Sequence, residues 1–255
     1  MNTAAYGTDR VERGVLYVVW GQSEAVEQAL NRSTESVRLH HPELPIHVAR
    51  PEQIPTHPLQ LKSQMAALTP FHSTLYLDAD TIVMDRLDFA FVRAEAFGLA
   101  CCINECPWMR RFGVGGDEIE YNTGVIFFTE KSRRVFDLWQ SLAPSFPAAG
   151  WWTTIDGVPR GLRYNDQASF SAAIAQSAFN PFILPLNYNV RAEFHTSFFA
   201  PLKIWHGFKG PPAELWPINE ACARGERLVT YLVTAPRASR PPQALSSPPG
   251  SAGAG

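Results

Sequence analysis

Short, nearly unbroken apolar runs set the rhythm of this chain. Residues 15–20 (VLYVVW), 46–49 (IHVA), 75–77 (LYL), 99–103 (LACCI) and 125–128 (VIFF) are rich in strand-forming residues. They lack the strict alternation of half-exposed strands, the pattern of strands covered on both faces. Between them, apolar residues recur at helical spacing: Val26, Ala29, Leu30, Ser33 and Val37, then Leu61, Met65 and Leu68, then Val135, Leu138, Trp139 and Leu142, and finally Phe170, Ala173, Ile174 and Ser177. Each set predicts a helix with one covered face. Ser23 is placed to cap the first helix, His40-His41-Pro42 to end it, and Pro70 to end the second. A further short helix is predicted over 89–96, and strands over 183–190 (ILPLNYNV) and 203–206. Strand, helix and strand without a hairpin signal imply parallel pairing through a right-handed crossover. The pattern predicts a single α/β domain with a mostly parallel central sheet flanked by helices.

One apolar run is broken by charge. In 73–88 (STLYLDADTIVMDRLD) the strand formers stop at Asp78-Ala79-Asp80, and the apolar character resumes at Thr81. Two unpaired carboxylates inside a covered strand would cost several kcal/mol or more. They fit instead at a strand's carboxyl end, where open α/β sheets bind ligands. Ala79 is too small to obstruct, so both carboxylates can reach one hard divalent cation. Three readings are open at this point: a metal-dependent transferase that holds a sugar nucleotide's diphosphate, a haloacid-dehalogenase-type phosphatase with Asp78 as nucleophile, or an acidic turn. In the phosphatase pattern Thr81 comes one position early.

Other positions narrow the choice only slightly. Gly21-Gln22-Ser23 falls at the expected carboxyl edge of the sheet, without the G-x-G-x-x-G of a dinucleotide site. Lys62 flanks an apolar stripe and, taken alone, is an extended surface lysine. Asp166 opens a helix, where it would complement the dipole and the free amides. Residues 104–116, with Trp108, Arg110 and Arg111, form a loop long enough for a lid or an acceptor wall, and Trp151-Trp152 invites sugar stacking. His40 and His41 are expected to be solvated, and a lone His206 is more often structural than a ligand.

Composition removes some classes. Lys+Arg number 22 against Asp+Glu 24, so no basic field argues for nucleic acid. No run reaches the length of a membrane span, and MNTAAYGTDRVERG lacks a signal-peptide core, so the expectation is cytoplasmic. The four cysteines, at 101, 102, 106 and 222, follow no zinc spacing and read as buried thiols. A domain over 1–234 is expected to precede a disordered Pro/Ser/Ala/Gly-rich tail over 235–255.

Taken in order, Lys62, Leu77-Asp78-Ala79-Asp80-Thr81, Tyr121-Asn122-Thr123-Gly124-Val125, Asn165-Asp166-Gln167, Leu184-Pro185-x-x-Tyr188-Asn189 and Ile204-x-His206 resemble the glycogenin-like family of retaining glycosyltransferases. The resemblance covers roughly residues 14–212. It implies a GT-A-type, Rossmann-like domain that moves a sugar from a nucleotide-sugar donor, UDP-linked by preference, to an acceptor that the residues do not identify. By the same resemblance Asp78, Asp80 and His206 bind Mn2+ (or Mg2+). Lys62, Asn122, Asp78 and Lys209 contact the donor, and Asp166 and Gln167 lie beside the reacting carbon. The family's terminal motif places its lysine further from the histidine than His206-Gly207-Phe208-Lys209 does. The alternatives are the phosphatase and a catalytically inactive nucleotide-sugar or glycan-binding module.

Overall fold

The computed structural model describes residues 11–21, 23–55, 57–104, 119–146, 150–153, 159–162, 164–191, 194–195, 197–226 and 230–233. Within these, the side chains of 11, 150–153, 159–162, 197–199 and 230–233 are not described. Most of the 104–116 loop with Cys106, the side chains of Trp151 and Trp152, and the 235–255 tail therefore lie outside the described residues.

The central sheet takes β1 (Val11–Val18), β2 (Ile46–Ala49), β3 (Phe71–Leu77), β5 (Leu99–Ile103), β6 (Tyr121–Thr129) and β9 (Phe182–Ile183) in the order β2-β1-β3-β6-β5-β9. Pairing is parallel except on either side of β6, which runs against both β3 and β5. The sheet is thus mostly parallel with one reversed strand, and the reversal matters. It puts the start of β6 beside the carboxyl end of β3, so Asn122, Thr123 and Gly124 sit next to Asp78.

The strand residues divide by parity, as a period of two requires. Val15, Tyr17, Leu75, Leu77, Val125 and Phe127 face one core, shared with α1 (Glu24–His40) and α3 (Asp88–Phe97). Leu16, Val18, Tyr76, Ile126 and Phe128 face the other, shared with Leu61 and Met65 and with α4 (Arg133–Leu142) and α5 (Gln167–Gln176). Both faces being covered explains why these strands read as continuous apolar runs. Aromatic pairs fill both layers: Phe91 meets Phe127 edge-on at 5.1 Å, and Trp139 lies 4.7 Å from Phe170.

Several local details differ from the pattern. The helix carrying Lys62 is a 3-10 turn over Pro58–Gln64, followed by only one α-turn, α2 (Met65–Leu68). The expected strand over 183–190 ends at Ile183. Pro185 has no N–H to extend a ladder, and the chain turns into a 3-10 segment, Leu186–Tyr188. That turn buries Tyr188 and Asn189. His41 is not solvated: it is buried, its Nε2 accepts the Leu87 amide at 2.9 Å, and its Nδ1 meets Glu43 at 3.0 Å.

After the acidic turn the chain leaves the central sheet. β4 (Thr81–Val83) instead pairs antiparallel with β11 (Ile204–His206), setting His206 opposite Thr81. A hairpin of β7 (Gly150–Thr153) and β8 (Pro159–Leu162), and a pair of β10 (Ser197–Ala200) with β12 (Thr230–Val233), lie apart from the main sheet. The remaining helix, α6 (Leu215–Ala223), is tied in by Asn219, whose amide donates to the Met84 and Leu202 carbonyls at 3.0 Å each. Among the described residues no helix is long and apolar enough to cross a membrane.

Candidate active site

The site starts with how the 78–80 turn is held. The Asp78 amide donates to Gly124 O at 2.8 Å, continuing the β3–β6 ladder one residue past the strand. The Asp78 carbonyl accepts the Thr81 hydroxyl at 2.8 Å, and Gly207 N donates to Asp80 O at 2.8 Å. Thr81 is itself buried against Ser33, which meets Tyr17 at 2.7 Å. With the backbone fixed from three sides, both aspartate side chains stay half-buried at the sheet edge. This is where the sequence placed them.

His206 completes an acidic cluster. Its Nε2 lies 3.4 Å from Asp80 Oδ1 and 3.8 Å from Asp78 Oδ2, and one ligand atom from each residue falls within 4.8 Å of the others. Its Nδ1 faces Asn189 Oδ1 at 2.8 Å. Gly124 makes room for the arrangement. A Cβ there would collide with the His206 imidazole and lie 3.0 Å from Asp78 Oδ2. The glycine is required by a histidine ring and a carboxylate rather than by backbone conformation.

Lys62 is not a surface residue. It is 3% exposed, and its Nζ lies 2.8 Å from Asp78 Oδ1, 3.3 Å from Asp166 Oδ2 and 3.4 Å from Thr123 O. Burial works against its charge, yet the two carboxylates prevail and hold the ammonium above the ordinary lysine value. Tyr76 donates to Asp78 Oδ1 at 2.7 Å, and burial followed by that carboxylate raises the phenol well above its usual value. Asp166 does not cap its helix. Its carboxylate accepts the Thr123 hydroxyl at 2.7 Å and faces Lys62, while Asn165 Oδ1 accepts the Gln167 amide at 2.8 Å. Gln167 in turn accepts from Asn122 Nδ2 at 2.8 Å, and Asn122 Oδ1 accepts the Gly124 amide at 2.8 Å.

One continuous network therefore joins seven of the eight residues singled out in the sequence: Asp78, Asp80, His206, Lys62, Asn122, Asp166 and Gln167. Lys209 stands apart. It is exposed, and its carbonyl accepts from Trp205 Nε1 at 2.8 Å. The sequence reading missed Tyr76, which looked like an ordinary strand residue, and gave no role to Thr123 and Asn189, which it noted only within their motifs. A pocket of about 300 Å3 opens on this network, lined by Lys62, Asp78, Asp80 and His206 together with the apolar Val19 and Trp20. A second acidic group, His41 with Glu43 and Asp88, is spoken for: both imidazole nitrogens are engaged, and Arg86 pairs with both carboxylates.

No protein-family model matches the sequence, and no curated protein matches it. Solved structures do match. The galactosyltransferase LgtC, crystallised with donor and acceptor sugar analogues, superposes with a TM-score of 0.51 at 16% identity, over 78% of this chain and 87% of that one. Mouse xyloside xylosyltransferase 1 gives 0.53 at 13% identity, covering 79% and 100%. A glycosyltransferase involved in glycosylation of the PBCV-1 major capsid gives 0.50 at 15%, covering 82% and 99%. The chain has a GT-A fold. In this GT-A domain the acidic turn, the start of β6, the start of α5 and the end of β11 all converge on one edge of the sheet.

Proposed function

We propose that the chain is a metal-dependent glycosyltransferase that moves a sugar from a nucleotide-sugar donor, UDP-linked by preference, to an acceptor with retention of anomeric configuration. The observation that carries this is the meeting of Asp78, Asp80 and His206 within 4.8 Å at the mouth of a pocket on a GT-A fold. The donor set fits a divalent ion. The His206 imidazole aims a nitrogen at two carboxylates, an arrangement that a shared cation satisfies, and two oxygens with one nitrogen suit Mn2+ or Mg2+. When bound, the ion supplies positive charge against the diphosphate that leaves.

The chain's own residues do the rest. Asp78 and Asp80 hold the donor end of the site, and Lys62, on the pocket wall, adds a fixed positive charge near the sugar and its phosphate. Asn122 fixes Gln167, and the buried Asp166 and Gln167 act mainly through positioning and electrostatics beside the anomeric carbon, with no covalent nucleophile assigned. Lys209, exposed next to Phe208 of the pocket lining, would reach the diphosphate from outside. Such preorganised charge is commonly the largest contribution to catalysis of this kind. The apolar part of the pocket lining, with Trp20 and Val19, suits a base and ribose.

Titration calorimetry with Mn2+ and UDP tests the reading. If both occupy this site, each raises the other's affinity by the same factor. Asp80→Ala abolishes that coupling while leaving the fold intact. UDP that binds equally with and without metal, or fails to bind at all, overturns the reading.

A further inference from the structure

His206 has two ring nitrogens, and a metal ligand needs the one facing the carboxylates to be unprotonated. We propose that Asn189 is the positioning residue that enforces this: its side-chain oxygen takes the Nδ1 proton of His206 and so presents a bare Nε2 to Asp78 and Asp80. The inference rests on the metal site proposed above and adds to it a residue that touches neither metal nor donor.

The geometry is specific. Asn189 is 1% exposed, and its Oδ1 lies 2.8 Å from His206 Nδ1, on the side of the ring away from the carboxylates. An amide oxygen only accepts, so this contact requires Nδ1–H and leaves the lone pair on Nε2. The ring cannot easily escape. β11 pins its backbone, since His206 N donates to Val190 O at 2.8 Å, and Gly124, where a Cβ would collide with the ring's Cε1 and Nδ1, leaves just enough space for the imidazole. Asn189 is also held, by its amide donating to Leu186 O at 2.9 Å at the end of the 3-10 turn that Pro185 initiates. The turn that breaks the expected 183–190 strand thus delivers the asparagine to the back of the histidine. A partner of this kind on a metal-bound histidine typically accounts for about ten- to a hundredfold in metal affinity. Among the described residues the Asn189 side-chain nitrogen is buried without a partner, a cost that an apolar residue would avoid, so the side chain's contribution here is its oxygen.

The test uses the 255-residue chain without donor. Long-range proton–nitrogen NMR of the metal-free wild type, at a pH where the imidazole is neutral, reads the tautomer directly, and Mn2+ titration followed by electron paramagnetic resonance reads affinity. The wild type is expected to carry the proton on Nδ1. Asn189→Leu, which keeps the volume and removes the acceptor, is expected to move the proton to Nε2 and weaken Mn2+ binding by about ten- to a hundredfold. Asn189→Asp, which keeps an acceptor at that place, is expected to retain the Nδ1 proton and bind Mn2+ at least as well as wild type. A proton on Nε2 in the wild type, or equal Mn2+ affinity in Asn189→Leu and wild type, overturns the inference. Because the wild-type tautomer needs no variant, misfolding of Asn189→Leu would not shield the proposal. A wild type that binds no Mn2+ at all would instead overturn the metal site itself, even with the Nδ1 proton in place.

Discussion

Lys62→Met is the substitution whose consequence the structure reverses. Beside an apolar stripe the lysine looked like a surface residue, and removing its charge there would change stability by no more than about 0.5 kcal/mol. In the fold it is 3% exposed, with two carboxylates, Asp78 and Asp166, at 2.8 and 3.3 Å. At such distances an ion pair with an effective dielectric near 20 is worth on the order of 5 kcal/mol in Coulomb terms, before desolvation is subtracted. Deleting one partner of a buried pair costs about 3–5 kcal/mol in practice, because the remaining charge keeps its burial and loses its compensation. Methionine preserves the stem, so the loss is electrostatic rather than a cavity. We expect a loss of about 3 kcal/mol, which for a domain of this size lowers Tm by roughly 6–12 °C. Because the ammonium is held above the ordinary lysine value, its stabilising contribution is complete below that value and fades only as pH rises past it. The difference from wild type is therefore flat across neutral pH. Urea denaturation of the metal-free protein in the presence of a chelator measures it. Adding Mn2+ should recover part of the loss, since the ion replaces positive charge at Asp78 and a ligand of the native state stabilises it by mass action. A Lys62→Met variant as stable as wild type would show that the lysine is not the counter-charge of these aspartates.

Three further outcomes are expected. Gly124→Ala places a methyl group where His206 lies; it should cost about 1–3 kcal/mol and weaken Mn2+ binding, checked by melting curves and by titration of the metal, and unchanged affinity would mean the ring has room to move. Thr123→Val removes the hydroxyl that Asp166 accepts at 2.7 Å; sugar-nucleotide turnover should fall by about tenfold, as for one lost hydrogen bond to a charged group, while Mn2+ affinity stays as in wild type, and equal turnover would leave Asp166 positioned by Lys62 alone. Glu43 is held down to about 2 by its hydrogen bond with His41, its own backbone and Arg86. Its contribution is present above the ordinary glutamate value and is lost as pH falls from about 4.5 toward 2. Glu43→Gln should therefore flatten the acid limb of a plot of Tm against pH, and an unchanged limb would place acid sensitivity elsewhere.

What the sequence disclosed and what it withheld divide along a physical line. Strands covered on both faces announce themselves, because burial demands apolar residues at every position, as at Leu99–Ile103; Ile46–Ala49 also falls where the pattern puts it, but at the sheet edge with His47 exposed. The broken run at Asp78 was equally legible, since charge inside a strand needs a reason. Direction was not. Nothing in 125–128 reveals that the strand runs against its neighbours, because pairing partners are a property of the tertiary fold. Burial of polar groups was the other blind spot. Lys62 and His41 looked solvent-facing from their immediate surroundings, yet both are enclosed by partners distant in sequence: Asp78 and Asp166 for one, the Leu87 amide for the other. Asp166 had a sufficient local explanation as a helix-opening residue, and that explanation concealed its hydrogen bond to Thr123. The 183–190 segment misled for the opposite reason: its β-forming composition was overridden by Pro185, and the resulting turn carries Asn189 to the back of His206.

The most direct measurement of the central claim is nucleotide release from a panel of sugar nucleotides, with and without Mn2+, run beside hydrolysis of a generic phosphomonoester. The account predicts metal-dependent release from at least one UDP-sugar, its loss in Asp80→Ala, and no phosphomonoester turnover. Phosphomonoester hydrolysis without nucleotide release, or release that survives both a chelator and Asp80→Ala, would contradict it.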